Sequence, residues 1–207
     1  MSACSYKPQL HSSLQHRNTG LEAGQLEKHG LAFMTPATVT GQEEDKQSLA
    51  LIFSDVVIKK MPGVHCVTLQ ETLSAINRGE LTDEYKQMYQ NYSTSGIFAR
   101  ESLQKVGEVA GARYVIQLNL ADFGRRTEKR WGIAGIRVFA TKTTHIRLFM
   151  QIWDSQEGNI VWEGSHELSH AYDTVQERPV TFQKVVEESA SALLDQIPQL
   201  PQKGVAK

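Results

Sequence analysis

The chain has 207 residues, which is enough for one domain and too few for two comfortable ones. Hydrophobic residues make up 40% of the sequence, so a sizeable core can form and the composition argues against global disorder. The 22 basic and 23 acidic residues nearly cancel, and a net charge of -1 gives no global field that would attract nucleic acid or an anionic membrane. No apolar run reaches the ~18 residues of a membrane-spanning helix.

The first residues resemble the processing site of a bacterial lipoprotein. In such proteins small residues precede the signal-peptide cut, and the cysteine that receives the lipid follows at once, as in Ser2-Ala3-Cys4. Residues 5–28 are polar, contain glycines and show no sustained apolar period, which predicts a flexible linker. We therefore expect residues 1–28 to be a lipobox remnant and a tether. The alternative is an ordinary cytosolic start that happens to contain Cys4.

The next segments alternate between strand and helix patterns. Residues 31–34 predict a short strand, and residues 42–60 predict a helix because their apolar positions recur at i, i+3, i+4 and i+7. Acidic residues at the start of that helix and lysines at its end suit the helix dipole. A strand is predicted over 64–69. Three further helices are predicted over 70–77, 80–96 and 98–110.

From residue 114 the apolar period changes to two. The alternation over 114–120 and 146–153 predicts two strands, and residues 160–172 predict a return strand after a tight turn. An amphipathic helix over 181–197 follows. The order β-α-β-α-α-β-β-β-α predicts an α/β fold, in which helices pack on a mixed sheet. The early β-α-β part favours a parallel crossover, and the late strands favour antiparallel hairpins.

Two segments resemble CsgG-like lipoproteins. Residues 111–120 resemble that family's helix, Gly-Ala and strand segment, and residues 146–161 resemble its paired strands joined by a D-x-x-x-G turn. Related folds occur in the penicillin-binding-protein activator lipoproteins and in the amino-terminal domain of TolB. The resemblance implies a single CsgG-like α/β domain over 29–198, preceded by the flexible tether and followed by a disordered tail over 199–207.

The resemblance also implies a function without catalysis or cofactor. Members of the family are periplasmic lipoproteins that bind cell-envelope proteins or assemble into rings. Ser5 after Cys4 implies, by the same analogy, an anchor on the periplasmic face of the outer membrane. The curli-secretion member forms its pore with two hairpin insertions per subunit. Residues 124–143 could match the first insertion, but residues 166–180 are too few for the second, so a pore of that type is not expected.

A literal H-E-x-x-H motif occurs at His166, Glu167 and His170. On the helix of a metalloprotease the two histidines bind one zinc ion, and the glutamate activates its water. Here the motif follows strand residues, and residues four apart in a strand are ~13 Å apart, too far to bind one ion. We therefore expect no metal site and two partly exposed strand histidines. A zinc-dependent hydrolase is the alternative function, and a soluble cytosolic adaptor without lipid is a third.

Residues 124–143 combine basic and apolar side chains between two predicted strands. A loop of about twenty residues is unusually long, and exposed apolar residues are costly. Because aromatic and arginine residues are enriched at interfaces, we predict a projecting hairpin that contacts a protein partner. The predicted contact residues are Arg125, Arg126, Arg130, Trp131 and Ile133. The alternative is a solvated hairpin tip. Nucleic acid is not an expected partner, because the rest of the chain is not basic.

Overall fold

The secondary structure of the chain alternates as the sequence predicts, with additional elements near the amino terminus. The computed structural model describes residues 9–130, 139–173 and 181–199, and the side chains of 11–124, 143–170 and 181–199. The strands are β1 Gln9–Asn18, β2 Leu31–Phe33, β3 Ala37–Thr38, β4 Cys66–Val67, β5 Tyr114–Arg130, β6 Phe139–Asp154 and β7 Asn159–Asp173. The helices are α1 Gln25–His29, α2 Glu43–Lys60, α3 Leu69–Arg78, α4 Thr82–Ser95, α5 Arg100–Ala110 and α6 Phe182–Leu194.

The strands form one mixed sheet in the order β1-β7-β6-β5-β2-β4. Strand β3 lies outside this order and pairs with β5. Strand β2 is parallel to both β4 and β5. The connection from β2 through α2 to β4 is therefore the parallel crossover that the sequence predicts. Strands β5, β6, β7 and β1 pair antiparallel in succession. The prediction of a mixed sheet with helices packed on it is confirmed.

The helix ends follow local chemistry. Helix α3 begins with a capping box, in which the Thr68 hydroxyl accepts from the backbone N–H of Glu71 and the Glu71 carboxylate accepts from the backbone N–H of Thr68. Helix α5 ends at Gly111, whose φ of 70° is the left-handed conformation that glycine adopts without strain. Among the described residues, no helix is long and apolar enough to cross a membrane.

Each face of the sheet is covered by its own set of helices. On one face α2 and α6 cover a core that includes Phe33, Ile116 and Trp162. On the other face α3, α4 and α5 cover a second core around Phe98 and Trp153. Burial on both faces explains why β5 is almost continuously apolar at its start, where it lies between the two cores.

The amino-terminal segment corrects one expectation. We expected a flexible tether over 1–28, but residues 9–18 form β1, which pairs with β7 at ten successive positions. Residues 25–29 form α1, and Leu21 and Leu26 are buried in the core. The side chains described for β1 are exposed, except the half-buried Leu14, so the strand needs few apolar residues and its sequence resembles a linker. Residues 1–8 and 200–207 lie outside the described residues.

Candidate interaction surfaces

The segment predicted to be a hairpin continues the pairing of β5 with β6. The two strands stay in register from Tyr114 opposite Asp154 to Arg130 opposite Phe139, with one irregularity after Leu120. Arg125 and Arg126 therefore lie opposite Thr144 and Thr143, although nothing is described of the side chains of Arg125, Arg126 and Arg130. Trp131 and Ile133 lie outside the described residues. The contact function of these five residues stays a prediction.

One contact joins the base of this hairpin to the domain, and two others lie between its own strands. The ring of Phe123 meets that of Phe182 on α6 edge to face, with 5.0 Å between their centroids. His145 Nε2 is 3.2 Å from a carboxylate oxygen of Asp122. Gly124 lies against the His145 ring, and a Cβ atom at that position would collide with it. The paired strands stay in the sheet beyond this point, since β6 remains paired with β7 as far as Thr141 opposite Asp173.

The H-E-x-x-H motif lies on β7, and its three side chains do not converge. Glu167 points to the face of the sheet opposite to the histidines, where its carboxylate is 3.3 Å from Nε of Arg147. His166 is 2% exposed, and its Nε2 is hydrogen-bonded to the Ser12 hydroxyl at 2.8 Å. Among the described residues, no group of three or more His, Cys, Asp or Glu side chains could hold a metal ion.

The burial of His166 corrects the expectation of a partly exposed histidine. Helix α6 and strand β1 cover this part of β7. The sequence of the motif predicts neither the contact with α6 nor the contact with β1. Burial lowers the pKa of His166, and its Nδ1 has no hydrogen-bond partner among the described residues. His170 lies on the same face, with Nε2 3.7 Å from the Glu188 carboxylate on α6. His166 and Glu188, with Ser12 and Leu168, line a cleft of about 430 Å³ between β7 and α6.

A second cleft, which the sequence analysis missed, lies between α2 and α3. Its volume is about 570 Å³, and its walls include Glu44, Leu51, Leu69 and Leu73. Leu51 is 63% exposed. One signal in the sequence could have indicated this cleft. Leu51 does not belong to the apolar positions from which the helix was predicted, so packing in the domain core does not explain why an apolar residue occurs there.

The edge formed by β1 is the other surface that the sequence analysis missed. Strand β1 ends the sheet on one side, and pairs only with β7 among the described residues. The side chains of residues 11–18 are exposed, except that Leu14 is half-buried. Cys4, the predicted lipid attachment site, lies before this strand and outside the described residues. Its lipidation stays a prediction.

Comparisons with known proteins show a shared fold. No protein-family model matches the sequence, and no curated protein matches it significantly. The PelC dodecamer from Paraburkholderia phytofirmans is similar, with a TM-score of 0.52 at 10% identity, over 92% of this chain and 100% of that chain. Lipoprotein GNA1162 from Neisseria meningitidis gives a TM-score of 0.40 at 13% identity, over 82% of this chain and 97% of that chain. The comparisons carry no specific support for the CsgG-like group.

Proposed function

We propose that this chain is a non-enzymatic lipoprotein of the bacterial envelope, anchored through Cys4 on the periplasmic face of the outer membrane. Its domain assembles with copies of itself and binds other cell-envelope proteins. The observation that supports this proposal most is the fold, which the PelC dodecamer shares over 100% of its chain.

The geometry of β7 favours this proposal over a zinc-dependent hydrolase. His166 and Glu167 lie on opposite faces of the sheet, so the glutamate cannot activate a water on an ion bound by the histidine. His166 is also buried and hydrogen-bonded to Ser12. A motif that requires a helix is thus presented on a strand.

The proposed contact element is the hairpin over 124–143. Its strands continue ten residues past Leu120, where the pairing of β3 with β5 ends, and at ~3.3 Å per residue this is ~33 Å. Over most of that length β6 also stays paired with β7, as far as Thr141 opposite Asp173, so the extension is part of the sheet. It carries four basic residues and is followed by Trp131 and Ile133. Arginine and aromatic residues contribute strongly to protein interfaces, which suits contact with a protein.

The anchor is tested in a bacterial host, with the chain exported behind a lipoprotein signal sequence. We expect mass spectrometry of the amino-terminal peptide to find Cys4 modified by lipid, and the protein to fractionate with the outer membrane. The matched control is Cys4→Ser, which should leave the fold intact and release the protein from the membrane fraction, since stable anchoring needs two or more acyl chains. An unmodified Cys4 in the exported protein would refute the anchor.

The assembly is tested by measuring the mass of the purified chain with light scattering. We expect an oligomer, and we expect Trp131→Ser combined with Ile133→Ser to weaken the assembly or the binding of envelope proteins. The control is Ile97→Ser, which removes a side chain that is 62% exposed elsewhere on the domain. If the hairpin variant folds and both its mass and its bound proteins are unchanged, the hairpin is only a loop.

A further inference from the structure

Strand β1 is a long edge strand without the features that usually protect such edges. It spans ten residues, and its pairing with β7 contains no register shift. Its sequence, QLHSSLQHRN, contains no proline, no lysine and no acidic residue. Proteins usually protect exposed edges with these residues, with bulges or with very short strands. The absence of these protective features from β1 therefore needs a physical explanation.

The outer side of β1 presents a row of unpaired backbone groups. In an antiparallel strand, alternate residues direct their N–H and C=O groups to opposite sides, so about half of the ten residues of β1 direct these groups away from β7. Among the described residues no strand lies on that side. A straight row of such groups is a template for another strand.

We propose that the β1 edge pairs antiparallel with β1 of a second copy, around a two-fold axis perpendicular to the sheet. This inference rests on the proposed self-assembly and names the surface that mediates it. A strand paired around such an axis is its own complement, as isologous interfaces require. The other edge of the sheet is β4, which has only two residues, Cys66–Val67. A head-to-tail contact between β1 and β4 would leave most of β1 unpaired.

Charge and side-chain pattern fix the orientation and the centre of the pair. The formally charged residue of β1 is Arg17, close to one end. Antiparallel pairing keeps the two Arg17 side chains ~20 Å apart along the strands, which exceeds the Debye length of ~8 Å. Parallel pairing would place them side by side. Opposed side chains must share a face, so the two-fold axis passes midway between the two copies of one residue. We place Leu14 there, because it is the half-buried apolar residue of the strand.

With Leu14 opposite Leu14 of the second copy, Ser13 of each copy lies opposite Gln15 of the other. Both side chains are exposed, so charges can be introduced there without disturbing the core. One variant combines Ser13→Lys with Gln15→Lys, and the other combines Ser13→Glu with Gln15→Glu. In either variant the pair would bring like charges directly opposite each other at two positions, which destabilises a strand pair. The two variants differ only in the sign of the charge.

The experiment measures the mass of the full chain by light scattering for the wild type, each variant and a 1:1 mixture of the two. We expect each variant alone to have at most half the wild-type mass, and the mixture to regain it, because opposite charges then face each other. Circular dichroism should be unchanged for both variants. Urea unfolding should show a small loss of stability for the glutamate variant alone, because Ser13 lies opposite Glu167 of β7 within the chain. Asn119→Lys, on the exposed side of an interior strand, is the matched control and should keep the wild-type mass.

The outcomes separate this inference from the proposed function. If the wild type assembles and both charged variants keep its mass, the β1 edge is not the interface, and self-assembly through another surface stands. If the variants lose mass and their mixture does not regain it, direct pairing of the two edges is refuted. If the wild type is monomeric at every concentration, self-assembly fails and the inference fails with it.

Discussion

At the scale of single residues, Arg113 and Asp154 form an ion pair in which the carboxylate is buried. Asp154 is 4% exposed, and its carboxylate accepts from Arg113 Nε at 3.0 Å and from a terminal guanidinium nitrogen at 2.6 Å. We expect Arg113→Ala to lower the free energy of unfolding by about 3 kcal/mol, because it leaves a buried carboxylate unpaired. Urea unfolding at pH 7 measures this. Arg147→Ala, which breaks an exposed pair with Glu167, should cost less than about 1 kcal/mol.

The same carboxylate predicts a pH dependence. Burial alone would raise the pKa of Asp154, but hydrogen bonds from Arg113 and from the backbone of Gln156 lower it below its usual value. A lowered folded-state pKa means that the stabilisation is present above the unfolded-state pKa of about 3.9 and is lost as the pH falls through the folded-state pKa. The stability gap between the wild type and Asp154→Asn should therefore narrow below pH 4. A gap that is constant from pH 7 to pH 2 would contradict this linkage.

The thiol of Cys66 should be unreactive in the folded protein. Burial, with a smaller effect of the Glu71 carboxylate, raises the pKa of Cys66 to about 11. Because the thiolate is the reactive form, we expect iodoacetamide to modify Cys66 at pH 8 at least roughly 100-fold more slowly than an unperturbed cysteine. The measurement uses the Cys4→Ser chain, with the urea-unfolded chain as control. Equal rates in the folded and unfolded chains would show that the thiol is not shielded.

At the scale of the elements, α5 packs closely against the turn between β6 and β7. A Cβ atom at Gly107 would collide with the Ser155 side chain and lie 2.9 Å from the carbonyl oxygen of Ala112. Alanine normally stabilises a helix interior by about 1 kcal/mol relative to glycine. Here we expect Gly107→Ala to destabilise the protein by about 1–3 kcal/mol, through overpacking. Thermal and urea unfolding measure whether Gly107→Ala lowers or raises the stability, and Glu108→Ala at an exposed position is the control. A stabilised Gly107→Ala variant would show that the turn can move to make room for the methyl group.

The strongly periodic elements could be predicted from the sequence, and those defined by distant partners could not. The helix expected over 42–60 is α2, Glu43–Lys60, because its apolar stripe and charged ends are local signals. Strand β3 has two residues, Ala37–Thr38, too few to show a period. Strand β1 pairs with residues about 150 positions away, which no local pattern reveals. For the same reason the hairpin could be proposed from its length and composition, whereas the β1 edge could not.

For the whole molecule, the position of β1 predicts that the amino-terminal segment is needed for stability. Removing residues 1–18 takes away ten pairs with β7 and exposes the edge of that strand. At roughly 0.2–1 kcal/mol per cross-strand pair, we expect a loss of roughly 3 kcal/mol or more, together with lower solubility. The matched control lacks only residues 1–8 and keeps every described pair. If both truncated chains unfold at the wild-type urea concentration, the segment behaves as the linker that its composition suggests.

The antiparallel arrangement of the two β1 strands determines how a lipid-anchored pair would lie on a bilayer. Cys4 precedes Gln9 by five residues, which reach at most about 18 Å, and the two anchors emerge at opposite ends of the paired strands. For both lipids to enter one membrane leaflet, the two-fold axis must coincide with the membrane normal. Because that axis is perpendicular to the sheet, the strands run parallel to the membrane plane. The thickness of the helix–sheet–helix layers, rather than the length of the strands, then sets how far the domain extends into the periplasm.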